Sequence, residues 1–319
     1  MDDGDSGGAP AAMHRLIAAA GLPAATSVQP LDGDGYGLDN RLTRATLADG
    51  RGVLLRQSRL PTAPVQKRIE FLRANGITTP ELYACDNEGS SLWEYVPGRT
   101  LADAVADGTA DDAVWRRTGA ALAEVHAVRF PASLNGSIGT DSLTLRPVDP
   151  VDELRGRMAA AQRWLEQHQP RTLASIEELT RFVSAHASEV RYERPAVVHG
   201  DINLFNIIVN DEAVRLIDWD SPAVKQPLRE LSALDEHAYL HNLDGLPPSF
   251  FDGYAYPVPR HLLLAYRIVG CVGWLASDDW AEWRSTSELH AATRSRLEHW
   301  HQLLLDWCDR IPDLVATLR

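Results

Sequence analysis

Ala196-Val197-Val198-His199-Gly200-Asp201-Ile202-Asn203-Leu204-Phe205-Asn206-Ile207-Ile208-Val209-Asn210-Asp211-Glu212-Ala213-Val214-Arg215-Leu216-Ile217-Asp218-Trp219-Asp220 is the stretch that organises this chain. Two short apolar runs, Ala196–Val198 and Ile207–Val209, flank a polar loop with His199, Asp201, Asn203 and Asn206. A third run, 214–217, leads into Asp218 and Asp220. Short β-branched runs ending in polar clusters read as buried strands carrying loops. The pattern therefore predicts Asp201, Asn206 and Asp218 on loops at the ends of neighbouring strands. Two carboxylates and an amide converging there suit a base for a hydroxyl group together with a Mg2+ site. Magnesium takes hard oxygen ligands and often shares itself with phosphates.

Towards the N-terminus, segment 25–97 reads as a five-stranded antiparallel sheet with one inserted helix. The strands fall at 27–31, 41–47, 52–57, 82–85 and 91–96, and Ala48-Asp49-Gly50 makes a hairpin turn. Val65, Ile69 and Leu72 share one face of a helix at 65–75 that stops at Gly76. Gly33, Gly35 and Gly37 lie between the first two strands. Such a loop either lays backbone N–H groups over phosphates or is simply a turn. Pro97-Gly98 ends this region, and from residue 100 the pattern turns helical. Helices are expected at 101–107, 111–126, 152–168, 173–187, 228–240, 260–277, 279–284 and 286–308. Segments 130–148 and 242–259 read as loops. Before the sheet, residues 1–12 read as a disordered acidic tail and 13–20 as a short helix.

The chain's 319 residues are long for one core and suggest two lobes. Its net charge of −13 argues against nucleic acid as a partner. The same charge either attracts a cationic substrate or serves solubility alone. Cys85, Cys271 and Cys308 have no metal-type spacing, which fits a reducing cytoplasm. The most apolar late stretch, 261–276, is too short to span a bilayer and is broken by Arg267, so no membrane role is expected.

Around His199 the sequence resembles the aminoglycoside phosphotransferase and choline kinase group, relatives of the protein kinases. Its pattern is His-Gly-Asp, four residues, then Asn, followed by a strand and Ile-Asp-aromatic. Here His199-Gly200-Asp201 precedes Asn206, and Ile217-Asp218-Trp219 follows. The resemblance spans roughly 27–255 and implies an α+β, two-lobed protein-kinase-like fold. An N-terminal nucleotide lobe would occupy 13–97 and a larger, mainly helical lobe 98–319. It further implies that Asp201 orients and deprotonates an acceptor hydroxyl, while Asn206 and Asp218 hold Mg2+ on the phosphates of ATP or GTP. Asp220 would orient a second metal or cap the loop 220–223. Asn203 would donate towards the γ-phosphate or brace its loop. His199 is expected to bond backbone rather than to act as a base. Gly33, Gly35 and Gly37 would cover the phosphates. Leu92-Trp93-Glu94-Tyr95-Val96-Pro97-Gly98 matches the group's linker, so the Glu94 carbonyl and the Val96 N–H would meet adenine.

Two positions depart from the group. Its phosphate-pairing strand lysine falls at Arg56, in a chain whose 31 basic residues include only two lysines, Lys67 and Lys225. The helix glutamate that would partner Arg56 is taken as Glu70. The group's Pro-Leu-x-Asp-Leu, which braces the active-site loop, reads Pro227-Leu228-Arg229-Glu230-Leu231. For the acceptor side, Asp235, Glu236, Asp278 and Asp279 are candidates, against the plainer reading of a solvated helix face. The resemblance thus implies an ATP-dependent O-phosphotransferase acting on a small-molecule hydroxyl, as a monomer or dimer. An antibiotic acceptor, aminoglycoside or other cationic natural product, is expected. The alternatives are a metabolic kinase for choline, homoserine or a sugar, and a non-catalytic nucleotide-binding protein.

Overall fold

Alternation along β-strands decides which side chains meet the rest of the molecule. The computed structural model describes residues 8–31, 40–58, 65–131, 134–138, 143–285 and 291–318. After helix α1 (Gly8–Ala19) come strands β1 (Ala25–Pro30), β2 (Asn40–Leu47) and β3 (Gly52–Ser58), helix α2 (Val65–Ala74), and strands β4 (Leu82–Cys85) and β5 (Ser90–Glu94). The strands form one antiparallel sheet in the order β1-β2-β3-β5-β4, as expected from the hairpin spacing. Helix α1 starts at Gly8, five residues before the expected start and inside the expected tail; its Met13, Leu16 and Ile17 are buried.

The two faces of this sheet belong to different cores. On one face Val53, Leu55 and Leu92 pack with Ala45, Leu47 and the buried side of α1. On the other, Leu54 and Trp93 join Val65, Ile69 and Leu72 of α2 in the large core that continues through the helical part of the chain. Side chains of successive strand residues point to opposite faces. Arg56 shares its parity with Leu54, so it leaves β3 on the side of the helical lobe.

The helical lobe begins with β6 (Arg99–Thr100), α3 (Leu101–Ala106) and α4 (Asp112–His126). Gly98 has φ +145°, and a Cβ there would lie 2.6 Å from the Val209 carbonyl oxygen, so only glycine permits this close approach. Next come β7 (Leu134–Ile138), β8 (Leu143–Pro147), α5 (Pro150–His168), α6 (Leu173–Ala185), α7 (Ala187–Tyr192) and β9 (Ala196–Val198). They are followed by β10 (Ile207–Val209), β11 (Val214–Leu216), β12 (Ala223–Lys225), α8 (Pro227–Leu240), α9 (Pro248–Tyr254), α10 (Arg260–Leu275), α11 (Asp278–Ser285) and α12 (Ala291–Ala316).

Four stretches differ from expectation. Residues 130–148 contain the hairpin β7–β8, and the expected loop at 220–223 runs into β12. Strand β12 lies between β7 and β9, so its pairing partners come from distant parts of the chain. Residues 242–259 include α9, which packs on α4, where Gly119 lets the backbone at Phe250 approach. Helix α12 runs on to Ala316 beyond its expected end at 308. Among the described residues, no helix is long and apolar enough to cross a membrane.

Candidate active site

The strands of the opening stretch lie in two small sheets, not one. Strand β9 pairs with β12, whereas β10 pairs with β11 and β6. The loop after β9 folds back so that Asn206 leads into β10 beside the end of β11, where the Ile217 N–H donates to the Asn206 carbonyl at 2.9 Å. This brings Asp201, Asn206, Asp218 and Asp220 together. Asn206 is 8% exposed. Its Nδ2 donates to the Asp201 carbonyl at 2.8 Å and to Asp201 Oδ2 at 3.2 Å. With Nδ2 committed, Oδ1 is the Asn206 atom left for another ligand. Asp218 takes φ 66°, a left-handed conformation that costs a non-glycine residue about 1–2 kcal/mol.

Gly200 has φ +86°, and any Cβ on it would overlap the Ser221 carbonyl. The Gly of His-Gly-Asp is therefore required by the approach of the two loops. His199 acts on backbone, as expected: its Nε2–H donates to the Ile217 carbonyl at 2.7 Å. Trp219 tilts against that imidazole with ring centroids 4.4 Å apart. Asn203 takes the bracing role: its Oδ1 accepts from the N–H groups of Phe205 and Asn206 at 2.9 and 3.2 Å.

Charge at this site is balanced by a residue 164 positions away. Arg56 Nη1 donates to Asp220 Oδ1 at 2.7 Å, and Nη2 meets Asp220 Oδ2. Nη1 also lies 2.9 Å from Asp218 Oδ1, an ion-pair distance. That buried oxygen has no further partner among the described residues. Arg56 therefore pairs with Asp218 and Asp220, and not with Glu70. Gln66 and Glu70 lie on the exposed face of α2, where Gln66 Nε2 donates to Glu70 Oε1 at 3.0 Å. The inward position of α2 is Arg68, whose Nη1 donates to the Asp220 carbonyl. Helix α2 thus presents a cation to this site where an acid was expected.

Burial pushes the Asp201 carboxyl above its ordinary range; Asp218 and Asp220 add to this, while His199 and Asn206 oppose it. Burial likewise raises Asp218, against the opposing field of Arg56.

Behind the loop stands a brace that sequence had shown only as a variation in a motif. Glu230 Oε1 accepts from the Gly200 N–H at 2.7 Å, and Oε2 accepts from the His199 N–H at 3.1 Å. His126 Nε2 bonds the same Oε2 at 2.8 Å, and its Nδ1 bonds the Tyr254 hydroxyl at 2.7 Å. Burial alone would raise Glu230, but the bond and charge of His126 carry it below its ordinary value. Nothing local in sequence marked His126 or Tyr254. His237 supports the next part of the loop: its Nδ1 accepts from the Leu204 N–H at 3.3 Å, and burial holds this imidazole neutral.

In the linker, Trp93 is core, with Nε1 donating to Ser91 Oγ at 2.8 Å. Glu94 Oε2 accepts from the Glu81 N–H at 3.1 Å and lies 3.3 Å from Arg215 Nη2. Val96 follows the end of the ladder, where the Tyr95 N–H donates to the Gly52 carbonyl at 3.1 Å. Gly33, Gly35 and Gly37 lie outside the described residues.

Two of the candidate acceptor acids, Asp235 and Glu236, are enclosed in the helical lobe. Asp235 is buried, pairs with Arg267 Nη1 at 2.6 Å and accepts from the Leu246 N–H at 2.7 Å. Glu236 is 4% exposed, and its Oε1 has no hydrogen-bond partner. Helix α8 is buried nearly all round, so neither acid has a solvated face to line. Asp278 is exposed at the start of α11; the side chain of Asp279 lies outside the described residues.

Burial raises the Glu236 carboxyl to about 8. The folded state therefore holds a proton that the unfolded chain releases above the ordinary glutamate range. Stability from this source is complete below that range and falls as pH rises towards about 8, by on the order of 5 kcal/mol. Thermal melting from pH 5 to 9 is expected to fall more steeply for the parent protein than for Glu236→Gln. Parallel curves would refute the assignment.

Comparison with known proteins follows from this geometry. The family model described as phosphotransferase enzyme family (APH) matches residues 31–234, which include all four polar residues of the loop cluster. Protein StrN of Streptomyces griseus is 33% identical over 127 residues, covering 36% of this chain and 40% of StrN. The chain thus aligns with less than half of that relative. A choline/ethanolamine kinase family protein from Mesorhizobium loti shares the fold with a TM-score of 0.59 at 17% identity, over 98% of each chain. Spectinomycin phosphotransferase APH(9)-Ia, solved with ADP and spectinomycin, has a TM-score of 0.59 at 14% identity, over 94% of this chain and 97% of that one. The fold is the two-lobed, kinase-like one that the sequence implied.

Proposed function

Because the chain belongs to the phosphotransferase enzyme family, we propose that it transfers the γ-phosphoryl group of ATP, with Mg2+, to a hydroxyl of a small molecule. The observation that carries this reading is the clustering of Asp201, Asn206 and Asp218 with Arg56 reaching across from β3. Asp201 would accept a hydrogen bond from the acceptor hydroxyl and take its proton as the phosphoryl group leaves the nucleotide. Its burial raises its proton affinity, which favours that role.

Asn206 Oδ1 and the carboxylates of Asp218 and Asp220 are hard oxygen donors fitted to magnesium. The chemistry of the donor set, two carboxylates gathered beside one amide oxygen, supports the fit. When bound, Mg2+ supplies charge neutralisation at the nucleotide phosphates. Arg56 would turn from the aspartates towards those phosphates, which a guanidinium can grip with two donors. The Glu94 carbonyl and Val96 N–H would meet the purine, with GTP as an alternative to ATP. Asn203 keeps its loop in shape.

For the acceptor, an antibiotic of the aminoglycoside or another cationic class is the reading supported by the net charge of −13. A metabolic kinase for choline, homoserine or a sugar is the alternative within the class, and the enclosure of Asp235 and Glu236, which withdraws two acids from any cation, favours the uncharged sugar among these. A non-catalytic nucleotide-binding protein, the alternative of another class, rests on Arg56 in the lysine position.

Purified protein should form ADP from Mg-ATP in proportion to one acceptor in a panel of aminoglycosides, other antibiotics, choline, homoserine and sugars. A rise in melting temperature with Mg-ATP but no acceptor-dependent ADP would favour the non-catalytic alternative; the absence of both responses would overturn the kinase reading. Arg56→Ala should raise the KM for ATP on the order of tenfold, about 1.4 kcal/mol, with a smaller change for Arg56→Lys. An unchanged KM in Arg56→Ala would exclude phosphate contact.

A further inference from the structure

We infer that His186, Glu189 and His261 form a binding site for a divalent transition-metal ion, zinc by its donor chemistry, separate from the oxygen cluster around Asp218. His186 closes α6, Glu189 lies in α7, and His261 lies in the first turn of α10. One donor atom from each comes within 4.8 Å of the others. His261 Nε2 lies 2.9 Å from Glu189 Oε2, and His186 Nε2 lies 4.0 Å from Glu189 Oε1. One carboxylate thus stands between two imidazoles whose ring centroids are 5.2 Å apart.

The tautomer of His186 is set for coordination. Its Nδ1 donates to the Phe182 carbonyl at 2.9 Å, which leaves the Nε2 lone pair facing Glu189. Metal-bound histidines are commonly oriented in this way by a backbone carbonyl on the other nitrogen. Phe182 also walls the site, tilted against His186 with ring centroids 4.1 Å apart and edge-on to His261 at 5.9 Å. An apolar wall against the ligands lowers the local dielectric.

Two imidazoles and one carboxylate select zinc, copper or nickel over magnesium, which prefers oxygen donors and water. Bond lengths of about 2.0–2.2 Å put neighbouring ligand atoms of a tetrahedral zinc roughly 3.3 Å apart. The donor atoms here, within 4.8 Å of one another, reach that spacing by side-chain rotations that move them about 1.5 Å or less. The three side chains are 32%, 48% and 39% exposed, so they can rotate and an ion can enter from solvent. A fourth position remains for water. Binding replaces the proton shared by His261 and Glu189 and ties the junction of α6 and α7 to α10 across 72 residues of chain.

The test is a zinc titration of tag-free, chelator-treated full-length protein, with excess Mg2+ present to hold the oxygen-donor site. One Zn2+ per chain with micromolar affinity is expected, with a rise in melting temperature, and Co2+ should give a visible absorption band of low-coordinate cobalt. His186→Ala and His261→Ala should each weaken zinc on the order of tenfold or more, and Glu189→Gln should weaken it as well. Melting curves without metal establish that the variants are folded, since all three side chains are partly exposed. Failure of the parent protein to bind zinc stoichiometrically would overturn the inference. So would unchanged affinity in the two histidine variants.

Discussion

Asp201→Asn is expected to lower acceptor-dependent ADP formation by about 10²–10⁴-fold, the usual contribution of a positioned general base. The fold should survive the change. Asn206 holds this residue mainly through its backbone carbonyl, at 2.8 Å, and that bond remains. Removing one of three clustered carboxylates also relieves repulsion from Asp218 and Asp220. The melting temperature should therefore stay level or rise, and the KM for ATP should change little, since Asp218 and Asn206 are untouched. The parent protein should lose activity on acidification at a pH above the ordinary aspartate range, because burial makes the Asp201 carboxylate take up a proton early. Steady-state kinetics with the acceptor found in the panel decides this. A variant with parental kcat would remove Asp201 from the chemistry.

Glu230→Ala is expected to destabilise the protein by roughly 3–5 kcal/mol, the cost of stripping one partner from a buried charged pair. The side chain serves two backbone N–H groups of the loop and His126 at once. Without it these three groups stay buried with no acceptor, each costing about 1–3 kcal/mol. Glu230→Gln should be milder, because an amide can accept one N–H but turns its own NH2 towards another donor. Activity should fall in both, through displacement of Asp201. The folded-state value of Glu230 lies below its unfolded value, so its contribution is present above the ordinary glutamate range. That contribution is lost as pH falls through the lower, folded value. Urea melts of the parent and Glu230→Gln should therefore converge in acid and separate at neutral pH. Equal stability at pH 7 would rule out the brace.

The legible parts of this molecule are those whose signals are local. The five strands of the first sheet alternate over a few residues and are joined by short turns, and their boundaries agree with the structure within a few residues. The hairpin β7–β8 was not legible. Leu134–Ile138 contains Asn, Gly and Ser, weak strand formers, and it becomes a strand because β12 lies alongside it. Helix α9 was hidden by its prolines and glycine, which read as loop until α4 supplies a surface to pack on.

Asp235 and Glu236 show the same limit at the level of single residues. Charges on a helix read as a solvated or ligand-facing side, and this holds when one face of the helix meets water. Helix α8 has core on nearly every side, so Asp235 is matched by Arg267 from α10, while Glu236 is enclosed with a raised proton affinity.

By itself the sequence determined the kinase-like organisation and the candidate constellation of Asp201, Asn206 and Asp218. These lie within eighteen residues, so spacing and short apolar runs are enough to place them on adjoining loops. Only the tertiary structure decided what holds them and balances their charge. Arg56 reaches Asp220 across 164 residues, and His126 meets Glu230 across 104. Such partners are selected by burial: a charge removed from water must be paired by whichever opposite group the packing brings within reach. Position along the chain carries no record of that choice.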